Sequence, residues 1–132
     1  MRLALAIIFI PHGAGKLFGW FGGPHLSGIA GFLGTLGLKP AMFWAVVLGI
    51  TEFGGGLAML FGFLTRWAGM GLAIAMAVAL VRVHIKWGLA FQGGDGHYDF
   101  PLVLLLVALS VMVTGAGKWS AEARMKKAPA MT

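Results

Sequence analysis

The sequence predicts an all-α integral membrane protein: a four-helix bundle with a short interfacial amphipathic helix between its first and second spans. Of its 132 residues, 59% are hydrophobic and only 11% are charged, with a mean hydropathy of +0.90. A water-soluble domain of this size needs about a quarter of its residues charged to cover its surface. The apolar residues gather in four runs, each near the roughly 20 residues of helix that a bilayer requires. Twenty-two glycines sit among Leu, Ala, Val and Phe, where small residues let membrane helices approach closely.

The first span, 3–21, is interrupted by Pro11, His12 and Lys16. Pro11 removes one backbone hydrogen bond and is expected to bend the helix. Arg2 followed by Leu3 to Ile10 also has the outline of a signal peptide, but no clean small-x-small cleavage site follows it, and cleavage would leave three spans. Over 22–40, Leu26, Ile29, Ala30, Leu33 and Leu36 recur at three- and four-residue intervals, which is the pattern of an amphipathic helix lying in the interface. Pro40 suits the start of the second span, 41–61; Gly62 is placed to stop it and Thr65 to cap the next. The third span covers 66–87 and runs into a Gly-rich loop at 88–98. Asp99 and Pro101 open the fourth span, 100–117, and a basic tail, 118–132, is expected to fray.

Four spans put both termini on one side, together with Arg2, Arg66, Lys118, Arg124, Lys126 and Lys127 against the single acid Glu122. The positive-inside rule makes that side cytoplasmic. Trp20, Trp44, Trp67, Trp87 and Trp119 all fall near span ends and read as an aromatic belt. A net charge of +6 arranged this way is topological rather than a nucleic-acid surface. The absence of Cys removes disulfides, thiolate metal ligands and dithiol relays. His12, His25, His84 and His97 lack metal-site spacing, and no Gly-rich run follows a strand to make a phosphate cradle.

The informative residues are the polar ones inside the spans. With a helical rise of about 1.5 Å per residue, His12 and Glu52 reach similar depth near the midplane, Lys16 lies one turn further out, and Arg82 is close to the level of Lys16. His84 and Asp99 lie nearer the outer surface. Ala45, Gly49, Gly55 and Gly56 share the face of Glu52, so this face points to neighbouring helices. A lone carboxylate at that depth is costly, and Glu52 is therefore expected to pair with His12 or Lys16. Such a pair is either a clasp that sets helix register or the wall of a pocket that binds a small molecule or moves protons. Arg66 is read as snorkelling, Arg82 as snorkelling or pocket-lining, Asp99 as a helix cap and His84 as interfacial. Ser110 and Thr114 are read as satisfying backbone or interhelical hydrogen bonds.

The chain resembles the DoxX family of small four-helix bacterial membrane proteins. The resemblance rests on Ile8-Phe9-Ile10-Pro11-His12-Gly13 running into Lys16-Leu17-Phe18-Gly19-Trp20-Phe21-Gly22-Gly23. It continues through Glu52-Phe53-Gly54-Gly55-Gly56, Gly62-Phe63-Leu64-Thr65-Arg66, the His84 region and Thr114-Gly115-Ala116-Gly117-Lys118-Trp119-Ser120. It implies an inner-membrane bundle, and a related branch of the family supplies a membrane subunit of thiosulfate:quinone oxidoreductase. The family positions carried over are His12, Lys16, Glu52, Arg66 and His84. Two features depart from the pattern. The N-terminus is shorter than usual, as if upstream residues were lost or the start misassigned, and Tyr98-Asp99-Phe100-Pro101 stands where members often have Glu followed by Tyr.

The leading expectation is a quinone-interacting or redox-complex membrane subunit, with His12, Lys16, Glu52, Arg82, His84 and Asp99 as candidates for ligand binding or proton relay. Quinone is the cofactor it implies, and electrons would come from a soluble or membrane redox partner. One alternative is a structural anchor whose basic tail recruits a soluble enzyme; another is a small-solute or proton carrier. The latter is disfavoured by the lack of charge between Leu3 and Pro11 and between Phe53 and Thr65. The spacing of Gly15, Gly19 and Gly23 permits a homo-oligomer as readily as packing within the chain.

Overall fold

The computed structural model describes residues 1–84 and 99–127, apart from the side chain of His84. The expected end of the third span at 87, the 88–98 loop and residues 128–132 lie outside them. The described residues form six α-helices and no strand: α1 Arg2–Phe18, α2 His25–Thr35, α3 Ala41–Phe61, α4 Thr65–Ala79, α5 Asp99–Thr114 and α6 Ala121–Lys127. A short 3-10 turn, Trp20–Gly22, follows α1, and a π turn, Leu80–His84, continues α4. Among the described residues, two segments are long and apolar enough to cross a membrane, α3 with 21 residues and Thr65–Val83 with 19. The segments Arg2–Phe18 and Trp20–Thr35 reach that length only together, bent by 101°. α5 is apolar but has 16 residues, just under the usual lower limit of about 17.

The change of direction in the first region comes after Phe18 rather than at Pro11, through which α1 is continuous. Gly19 adopts the left-handed conformation (φ 70°, ψ 15°), and its N–H donates to the Gly15 carbonyl at 3.1 Å. The chain then doubles back so closely that a Cβ on Gly15 would lie 3.2 Å from the Gly23 Cα. Gly15 and Gly23 are thus used for an approach within the chain.

α3 occupies the expected 41–61 interval because Pro40, with extended backbone, precedes it, and Gly62 (φ 69°) ends it with an N–H to the Ala58 carbonyl at 2.9 Å. The start of α4 differs from the expectation. Leu64 is the N-cap, Thr65 is the first helical residue, and the Thr65 N–H donates to Glu122 Oε1 at 2.7 Å. The carboxylate of α6 therefore takes the capping role expected of Thr65. α5 stops at Thr114, three residues short of expectation, because Gly115 is left-handed (φ 78°) and its N–H turns back to the Val111 carbonyl at 2.8 Å.

Glycines bring the helices together. A Cβ on Gly13 would stand 2.7 Å from the Phe53 Cβ, and one on Gly56 would stand 3.2 Å from the Phe9 carbonyl carbon, so α1 lies directly on α3. A Cβ on Gly69 would approach the Ala108 carbonyl oxygen to 3.1 Å, bringing α4 equally close to α5. The shared core draws Leu5 and Phe9 from α1, Met59 from α3, Leu72 and Ala73 from α4, and Leu104, Ala108 and Val111 from α5. Outside it, Leu3, Ile7, Ile50, Trp67, Leu106 and Val113 are all exposed. An outer surface this apolar suits lipid and not water.

The tail does not fray from its start. Ser120 Oγ accepts the Ala123 N–H at 3.1 Å and begins α6. The Glu122 N–H donates to the Gly62 carbonyl at 3.2 Å. Arg2 completes this end, its Nη1 donating to the Met59 carbonyl at 3.2 Å and its Nη2 to the Trp119 carbonyl at 2.9 Å. Arg66 is exposed beside Gly115, where its cation faces the negative end of the α5 dipole. Thr114 Oγ1 donates to the Ser110 carbonyl at 2.8 Å, as expected for a hydroxyl satisfied by its own helix.

Candidate functional site

Lys16 and Glu52 meet between α1 and α3. Lys16 Nζ donates to Glu52 Oε2 in an ion pair whose side chains are 15% and 3% exposed, respectively. Glu52 lies on the buried face of α3 with Ala45, Gly49 and Gly56, as their spacing predicts, while Gly55 is half-buried and faces Leu72. Small residues on that face allow α1 to come near enough for the lysine to reach the carboxylate. Pairing is what makes the burial tolerable, because an isolated ion out of water costs several kcal/mol or more, on the order of magnitude estimated for buried charges.

His12 is one turn from Lys16 but does not join the pair. Its Nδ1 lies 2.8 Å from the Ile8 carbonyl oxygen. A carbonyl only accepts, so Nδ1 carries the proton of this bond, and in a neutral imidazole Nε2 is then the acceptor. Of the two partners expected for Glu52, the structure selects Lys16, and the backbone of α1 holds His12.

The pair lies in the wall of a cavity of about 560 Å3, within the range of sites that hold small organic ligands. Ile8 and Phe9 of α1, Phe32 and Leu33 of α2, Trp44 and Leu48 of α3, Ile74 and Val78 of α4, and Phe100 and Leu104 of α5 give it an apolar lining. His12, Lys16, Thr51, Glu52 and Arg82 are its polar groups. A second cavity, of about 270 Å3, lies between α1 and the segment that carries Trp20, Phe21 and Pro24. His12 and Lys16 line both cavities.

Arg82 reaches the large cavity because Ile74, Val78 and Arg82 follow one another at four-residue spacing on α4 and its π turn. Asp99 is exposed in the first turn of α5, beside the lining residues Phe100 and Pro101 but not itself in the lining. It is well placed for the helix dipole. The backbone of His84 closes the π turn, and its side chain lies outside the described residues. Thr51 and Trp44 are lining residues that sequence reasoning missed. The sequence places Trp44 only in the interfacial belt, and Thr51 is recognisable as the hydroxyl next to the one carboxylate buried among the described residues. No group of three or more metal-ligating side chains occurs among the described residues.

The family model for DoxX matches residues 1–85. The chain belongs to the DoxX family. The match contains His12, Lys16, Glu52, Arg66, Arg82 and His84, whereas Asp99 falls beyond it. Among relatives, "Inner membrane protein YqjF" of Escherichia coli is 42% identical over 128 residues, covering 96% of this chain and 89% of the relative. A Bacillus subtilis protein named "Putative oxidoreductase CatD" is 31% identical over 116 residues, covering 88% of this chain and 77% of the relative. An uncharacterized membrane protein of Mycobacterium tuberculosis is 29% identical and covers 96% of this chain and 80% of its own length. No solved structure matches. Apolar α3 and α4 and membrane-protein relatives together make this DoxX chain a membrane protein.

Proposed function

We propose that this DoxX protein is a multi-pass inner-membrane subunit that binds a quinone in the large cavity and exchanges electrons with it through a separate redox protein. The observation that carries the reading is a buried ion pair set in the wall of a mostly apolar cavity of about 560 Å3. A quinone needs apolar walls for its ring and tail and a few polar groups for its carbonyls. Lys16 is a donor to a carbonyl oxygen, held in place by Glu52. His12 Nε2 is an acceptor for a quinol hydroxyl, its ring orientation fixed by the Ile8 carbonyl. Reduction of the quinone takes two electrons and two protons. Protons have a route through the smaller cavity, which shares His12 and Lys16 with the large one. Electrons come from a partner, since the chain has no Cys, and the name of the Bacillus subtilis relative as an oxidoreductase agrees with a redox setting.

In this reading α1, α3, α4 and α5 cross the bilayer as a four-helix bundle and α2 lies in the interface as a lid over the cavity. Arg2 and α6 face the cytoplasm, in keeping with the positive-inside rule. Protein purified from its own membranes is expected to retain a quinone, and an added short-chain quinone to raise its Tm. Saturation at a hundredfold over Kd adds about 2.7 kcal/mol of stability. Absence of both retained quinone and stabilisation would sink the proposal.

A second reading, a membrane anchor for a soluble enzyme, draws on one feature: Arg124, Lys126 and Lys127 are exposed on α6. Neutralising these three residues would abolish cellular function while leaving quinone binding intact if recruitment is the main role.

A further inference from the structure

We infer that the cavity selects an amphiphile with an acidic head, with Arg82 as the head-group ligand. This selection rests on the cavity being the ligand site proposed above and adds a second class of occupant, held by Arg82 where the quinone is held by Lys16 and His12. Three ionic side chains line the cavity: Lys16, Glu52 and Arg82. Glu52 is buried against Lys16, and that is the one ion pair among the described residues. The lining therefore carries one positive charge that no described carboxylate balances. Asp99, the acidic residue of α5, is exposed and outside the lining.

The placement of that charge matters as much as its sign. Ile74 and Val78 precede Arg82 on one stripe of the cavity wall, and Arg82 is next to the end of the apolar segment Thr65–Val83. Arg82 is exposed and thus stands at the rim of a pocket whose lining is mostly apolar. A single-chain acid fits this polarity with its tail inward and its head at the rim. The planar guanidinium offers two parallel N–H donors to a carboxylate, a match that a neutral alcohol or carbonyl cannot reproduce. The rim is also where α4 widens into the π turn Leu80–His84, a distortion that recurs at functional sites.

Trp44 lines the cavity and supplies the readout. The full-length protein in nanodiscs of zwitterionic phosphatidylcholine is titrated with a fatty acid brominated close to its carboxyl group, and separately with the alcohol of the same length brominated at the same carbon, because Trp44 and Arg82 lie at the same end of α3 and α4. The saturable quenching that disappears in Trp44→Phe is the cavity signal. The acid is expected to bind on the order of tenfold more tightly than the alcohol, the gain typical of a charge-assisted contact. Arg82→Gln is expected to remove that preference and Arg82→Lys to keep part of it. Equal binding of acid and alcohol by the unmodified protein, which requires no variant to fold, overturns the inference, as does a preference that survives Arg82→Gln. A neutral short-chain quinone read on the same Trp44 signal separates the two proposals. If the quinone binds and the acid has no advantage, the ligand site stands and acidic selection fails; if neither binds, both fail.

Discussion

Arg2 and Lys16 stand near opposite ends of α1, and the protein surrounds them differently. At the Arg2 end, every charged contact is made to main chain. The guanidinium donates to the carbonyls of Met59 and Trp119, and the Glu122 carboxylate accepts the Thr65 N–H. This end ties together the first residues, the α3–α4 turn and the tail, and its polar groups answer the unpaired N–H and C=O groups that helix ends leave behind. At the Lys16 end the two charges answer only each other, and beside them is open volume. Polar groups that satisfy the backbone stabilise a fold. Polar groups that satisfy one another beside a cavity are available for a ligand. The same pair of residue types, a cation from α1 and a glutamate, thus ties the fold at one end and lines the cavity proposed as a ligand site at the other.

The largest effect that separates the ends is expected at the buried pair. Lys16→Met or Glu52→Leu alone leaves one uncompensated buried charge and should cost about 3–5 kcal/mol. The double variant should recover most of that loss yet bind no quinone, since an apolar pair packs but does not donate. Denaturation in mixed micelles measures the first, and quinone-dependent Tm shifts the second. A double variant no more stable than the singles would show that the ion pair is not the unit.

Next in size is Gly13→Val, which pushes α1 away from the Phe53 backbone and disturbs both ends together. Overpacking of this kind costs about 1–3 kcal/mol, and loss of quinone binding should accompany the loss of stability. At the Arg2 end, Glu122→Ala removes one helix cap and should cost about 1 kcal/mol, with quinone affinity unchanged. A fall in affinity comparable to that of the Lys16 variants would falsify the division of roles. The smallest stability change belongs to His12→Gln, within about 0.5 kcal/mol for an exposed side chain. Its effect is expected instead in binding, where quinol should lose more affinity than quinone because only the quinol needs the Nε2 acceptor.

The parts legible beforehand were those decided by local sequence. An apolar run framed by Pro40 and Gly62 becomes α3 over its expected interval, and the glycines and alanine around Glu52 mark a packed face. Fraying does not hold for 121–127 because α6 depends on partners distant in sequence: Glu122 meets Thr65 across 57 positions and Gly62 in the same turn. The partner of Glu52 was undecidable from spacing, since His12 and Lys16 share one stripe of α1 and differ by one turn. What separates them is reach: the lysine stem extends to the carboxylate, while the short imidazole is captured by the Ile8 carbonyl.

Composition and hydropathy alone determined that this DoxX chain is a helical membrane protein, because too few charges remain to cover it in water and every backbone group in lipid must be bonded internally. They also singled out Lys16 and Glu52 as residues too polar for their depth. Only the tertiary structure decided that these two pair, that Arg82 stays outside the pair, and that a cavity opens between them. Those outcomes depend on how closely Gly13 and Gly56 let α1 settle on α3 and on where the chain turns back after α1 at Gly19. Hydropathy is a sum over single residues, whereas a cavity exists only in the fit between helices.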